Sequence, residues 1–108
     1  MYIVLLDENL PVKIKFRLQD ACDIFCVKDM AWNALENGDL INAMQKDGFD
    51  YLITSDKNLQ YQQNIGAYPV CFIVLNILDN NYETILPFIE KIKVILENKI
   101  KSKLTVIS

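Results

Sequence analysis

The chain has 108 residues, 52% of them apolar, which suits one domain with an ordinary core and no need of metal or disulfide staples. It contains no histidine, and this excludes Ser-His-Asp triads, Cys-His dyads and zinc sites built on imidazole. The net charge of −3 argues against indiscriminate nucleic-acid binding but is unevenly placed: residues 1–90 carry 13 acidic and 6 basic side chains, whereas residues 91–108 carry five lysines against Glu97.

In chain order, Tyr2–Leu6 reads as a first strand, almost wholly apolar, and the stretch IVLLDENLP sets Asp7, Glu8 and Asn9 at its tip. A helix over Leu10–Gln19 places Ile14 and Leu18 on one face, with Asn9 as N-cap and Pro11 in the first turn, where its missing N–H costs nothing. Asp23–Val27 reads as a second strand. Residues 28–37, KDMAWNALEN, have weak periodicity and carry the only tryptophan, Trp32, which fits a plug for the core better than a cleft wall. A second helix over Leu40–Asp47 turns Leu40, Ile41, Ala43 and Met44 inward; Asn37 and Gly38 open it and Gly48 closes it.

Tyr51–Thr54 and Val70–Leu75 are two further apolar runs of strand length. Thr84–Lys99 repeats Ile85, Phe88, Ile89, Ile92, Ile95 and Leu96 at helical spacing, with Thr84 as N-cap and Pro87 in the first turn. Its lysines, with those that follow, read as a solvated face rather than a nucleic-acid patch. Leu104–Ile107 offers a fifth strand. Runs apolar at every position suit strands covered on both faces of a parallel sheet. The expectation is a single three-layer α/β/α domain over residues 1–108, with a mainly parallel four- to five-stranded sheet. The three cysteines, Cys22, Cys26 and Cys71, sit among apolar residues and read as small buried hydrophobes. No apolar run approaches the roughly 18 residues of a membrane span, and no basic flank of a signal peptide opens the chain, so a cytoplasmic location without membrane contact is expected.

Open parallel sheets bind ligands beyond the carboxyl ends of their strands, where the strand order reverses. If the first strand and Tyr51–Thr54 are neighbours there, Asp7 and Asp56 emerge side by side; Asp39 opens the helix that runs back into the latter strand. Carboxylates this close resist ionisation unless a cation shares the site. Magnesium or manganese suits such a cluster, and the chemistry that follows is hydrolysis of a phosphate ester by metal-activated water. Capping roles stand beside this reading: Asp56 or Ser55 for a short helix over Lys57–Gln63, Asp7 or Asn9 for the first helix, and Asp39 as a favourable acid in a first turn. Glu8, Asp29, Asp79 and Glu83 read as exposed loop charge.

LLDENLP, WNALENGDL and DYLITSDKNLQYQQN, in this order over Tyr2 to about Leu75, resemble the compact PIN-like domains found as toxins of bacterial toxin and antitoxin pairs. The resemblance implies a three-layer fold with a parallel sheet and a magnesium- or manganese-dependent endoribonuclease. It also implies an RNA substrate, a small antitoxin as partner and room for a homodimer. By the same resemblance Asp7, Asp39 and Asp56 are the metal-binding and catalytic acids, and Asn9, Lys57 and Asn58 are positions that orient metal water or substrate phosphate. Larger PIN nucleases add a fourth acid near the end of the next strand; here that strand ends VLN, with Asn76 at the position and Asp79 nearby. One ion rather than two is therefore expected. Two other classes remain: a catalytically silent PIN-like module that binds protein, and a receiver-like phosphoacceptor domain, which needs a Ser or Thr where Asn76 stands.

Overall fold

A computed structural model of the chain describes residues 1–59, 64–98 and 102–108. Five strands form one sheet: β1 (Ile3–Leu6), β2 (Asp23–Cys26), β3 (Tyr51–Thr54), β4 (Cys71–Leu75) and β5 (Leu104–Ile107). All are parallel, in the order β2-β1-β3-β4-β5. The register sets Leu6 beside Ile53 and beside Cys26, so β1 and its two neighbours end nearly level.

Helices cover both faces, which explains the unbroken burial of β3 and β4. Helix α1 (Ile14–Leu18), the short α3 (Tyr82–Ile85) and α4 (Ile89–Glu97) pack on one face. That layer joins Val4, Leu6, Ile53, Ile73 and Leu75 of the sheet to Ile14, Leu18, Ile85, Ile89 and Ile92 of the helices. Helix α2 (Asn37–Lys46) covers the other face, with Leu40, Ile41 and Met44 against Leu5, Leu52 and Phe72. Trp32 packs on this second layer, its ring 5.6 Å from that of Phe49, so it plugs the core. The three thiols are free and buried, and burial pushes that of Cys22 up to about 12, which makes it inert packing. Among the described residues no helix is long and apolar enough to cross a membrane.

Three helix starts differ from expectation. Helix α1 begins at Ile14 rather than Leu10, and Lys13, not Asn9, stands at its N-cap. Two tight turns come first, closed by Leu10 N–H to the Asp7 carbonyl and Ile14 N–H to the Pro11 carbonyl. A chain leaving a strand end must reverse direction before it can lie on the sheet, and this reversal takes up the residues that by propensity would be helical. Helix α2 begins earlier, at Asn37, taking in the two residues expected only to open it. The last helical run starts at Tyr82, so Thr84 lies inside it and Pro87 falls beyond the first turn. Proline has no N–H for the carbonyl four residues back, and the chain passes through a 3₁₀ turn at Leu86–Phe88 before α4 resumes. The expected end of this helix, at Lys99, lies outside the described residues, as do most of the short helix over Lys57–Gln63 and both Gln62 and Gln63.

Candidate active site

The strand order reverses at β1. The chain goes out to β2 on one side and returns across β1 to β3 on the other. A crevice must therefore open between the carboxyl ends of β1 and β3, where neighbouring connections leave for opposite faces. Asp7 follows β1 at this point, and its N–H continues the ladder to the Ile53 carbonyl at 2.9 Å. Asp56 follows β3 after Thr54 and Ser55.

Thr54 joins the two acids. It is wholly buried, and its Oγ1 donates to Asp7 Oδ2 at 2.6 Å while accepting from the Asp56 N–H at 3.0 Å. The other oxygen of Asp7 accepts from the Glu8 N–H at 2.9 Å. Burial raises the carboxyl of Asp7 above its ordinary value; the bonds from Thr54 and Glu8 N–H oppose the shift, and the charges of Glu8 and Asp56 add to it. Two half-buried carboxylates thus share an edge with no cation among the groups acting on Asp7, a donor set that suits a hard divalent ion.

Beyond them a cleft of about 350 Å³ is lined by Asn9, Ser55, Asp56, Lys57, Asn58, Ile77, Leu78, Asp79 and Asn80. Asn9, Lys57 and Asn58 therefore stand with Asp56 around one space. Asn58 N–H caps Asp56 Oδ1 at 3.0 Å, and Ser55 Oγ meets Asn80 Oδ1 at 2.6 Å, tying the loop after β3 to the loop after β4. A larger cavity, about 490 Å³, lies at the opposite edge between Met1, Tyr2, Ala21 and Leu96; it holds no acid and is remote from the strand reversal.

Asp39 lies exposed in the first turn of α2, and the charges acting on Asp7 are those of Glu8 and Asp56. Among the described residues no three Asp, Glu, Cys or His side chains gather closely enough to hold an ion together. Asn76, at the end of β4, is exposed and turns its amide to Ser108 Oγ at 3.5 Å.

Two acids read as plain loop charge have structural work. Asp79 lines the cleft beside Asp56 and accepts from the Asn81 N–H at 2.9 Å; its bonds from Thr84 and Asn81 hold its carboxyl below the ordinary value. Asp29 Oδ2 accepts from the Cys26 N–H at 2.8 Å and pairs with Lys15 at 2.7 Å, so it fastens the end of β2 to α1. Sequence reasoning passed over Thr54, and a threonine inside an apolar strand carries no signal to mark it. No family model, curated protein or solved structure matches the chain.

Proposed function

We propose that this protein is a magnesium- or manganese-dependent endoribonuclease of the PIN-like kind, acting in the cytoplasm as the toxin of a toxin and antitoxin pair. The observation that carries the reading is the pairing of Asp7 and Asp56 through Thr54 at the crevice between β1 and β3. Asp7 and Asp56 would hold the ion, a hard divalent cation suited to oxygen ligands. Asp39 takes the third place on the strength of the resemblance alone. The bound ion supplies an acidified water and neutralises charge on a phosphodiester.

The remaining work falls to side chains around the cleft. Thr54 holds the Asp7 carboxylate against the backbone of Asp56. Asn9 and Asn58 offer amide hydrogens to water or phosphate oxygens. Lys57, exposed on the cleft wall, meets the charge that builds on the phosphate during attack. The test is cleavage of a mixed RNA pool with manganese, together with calorimetric titration of the metal. Asp7→Asn and Asp56→Asn should each lower cleavage by at least about 100-fold, the upper end of what losing a mere supporting group costs. Cleavage that survives both substitutions overturns the mechanism; no heat and no thermal stabilisation with manganese favours the silent, protein-binding module.

The strand order gives a second reading some support. The order β2-β1-β3-β4-β5 is that of doubly wound folds which bind at the β1/β3 crevice, and receiver domains also carry acids after β1 and an Asp after β3. Asn76 stands where their chemistry needs a hydroxyl, and fold does not fix function. Failure of acetyl phosphate to label Asp56 would dismiss this alternative.

A further inference from the structure

The outer side of α1 and the start of α3 carry an exposed patch of cations and apolar side chains around the half-buried Tyr82. Ile14 and Leu18 bury the inner side of α1, while Val12 and Phe16 are 51% and 62% exposed on its outer side. Lys13 and Arg17 are exposed with them. Residues four apart share one side of a helical run, and the turns Lys15 N–H to Val12 and Phe16 N–H to Lys13 carry that geometry back before Ile14. Tyr82 stands against both cations: Arg17 Nε donates to Tyr82 Oη at 2.6 Å, and Lys13 Nζ and Arg17 Cζ lie 5.6 and 5.9 Å from the ring centre.

Among the described residues these two charges have no acidic partner in an ion pair. The ion pairs among the described residues are Lys15 with Asp29 and Lys93 with Asp20. In a stretch of chain where acids outnumber bases two to one, a pair of unneutralised cations held on an aromatic ring is a local reversal of sign. The patch also adjoins the cleft. Asn80 and Asn9 line the cleft; Tyr82 follows two residues after the first, and Lys13 four after the second. Two residues span at most about 7 Å.

We propose that Phe16 with Lys13 and Arg17, the two cations held on Tyr82, forms a platform for single-stranded RNA that leads the strand into the cleft lined by Asp56. The direction of travel rests on the ribonuclease reading; the binding itself does not. Lys13 and the outward nitrogens of Arg17 take phosphates, the latter in pairs. Phe16 offers a surface on which a base stacks, while Tyr82, with Lys13 and Arg17 over its ring, holds the two cations in place. Unstacked bases with phosphates between them match this mixture, whereas a duplex shields its base faces.

The test separates binding from cleavage. Anisotropy of a labelled, mixed-sequence single-stranded RNA of about 15 nucleotides, within the range of known site sizes, is measured on the full chain carrying Asp56→Asn, without metal, at several salt concentrations. Adding Lys13→Gln and Arg17→Gln should raise Kd about tenfold or more at low salt and reduce the slope of log K against log salt by about 1.4, two contacts at about 0.7 each. Arg17→Lys should restore most of the slope, and Phe16→Ala should weaken binding several-fold with the slope unchanged. Circular dichroism on each variant confirms that it folds.

No RNA binding by the parent chain, or an affinity and slope untouched by the double substitution, overturns the platform. The second result is also what a protein-docking surface would give. Manganese titration of the wild-type chain keeps the two ideas apart. Absent metal binding with patch-dependent RNA binding removes the nuclease and leaves the platform; intact metal binding with patch-independent RNA binding does the reverse.

Discussion

Thr54 uses both sides of one hydroxyl, as donor to Asp7 and acceptor for the Asp56 backbone. Its loss would leave one oxygen of a half-buried carboxylate and a backbone N–H without this partner at once. Thr54→Val, nearly the same shape, should therefore cost about 1–3 kcal/mol in denaturant unfolding. The Asp7 titration midpoint, followed by carbon NMR of its carboxyl, should lie above 3.8 in the wild type. It should rise further in Thr54→Val, which removes an opposing bond, and fall in Asp56→Asn, which removes a repelling charge. The folded state holds the Asp7 proton more tightly than the unfolded chain does. This group's contribution to stability is thus complete below 3.8 and is lost as pH rises through the folded pKa. Asp7 and Asp56 were legible as strand-end acids because each follows an apolar run closely, Asp56 two residues after Thr54. The bond that couples them spans 47 residues of sequence, and no local pattern reports it.

At the scale of elements, the apolar runs marked the strands to within a residue, since β3 and β4 are buried at every position. Helix starts were less legible. Asn9-Leu10-Pro11 has good helix-opening chemistry, yet the turn out of β1 claims those residues. The end of α2 was plain: Gly48 has φ +80°, a conformation that glycine adopts without strain. A Cβ there would meet nothing within 4 Å, so Gly48→Ala isolates the backbone term. It should cost about 1–2 kcal/mol, read from the denaturant midpoint at unchanged slope. A much smaller loss would mean that α2 ends by another means.

The whole molecule is two unequal cores on one sheet. Among the described residues, the layer under α1, α3 and α4 holds twenty buried side chains and the layer under α2 ten. Ile53 belongs to the larger layer, is wholly buried, and sits one residue before Thr54 on the strand that ends at the cleft. Ile53→Ala should cost about 2–5 kcal/mol in the same unfolding assay, a large share of a domain's usual 5–15. On the proposed metal-dependent reading, manganese affinity should fall with it, because Ile53 directly precedes Thr54 at the end of β3. The sequence by itself determined the strands, the covered sheet and the two acids that leave it, since apolar periodicity and strand-end charge are local properties. Tertiary structure alone decided that β1 and β3 are neighbours and that Thr54 couples Asp7 to Asp56. Those are contacts between residues distant in sequence, set by how the sheet orders its strands and by where each helix can start.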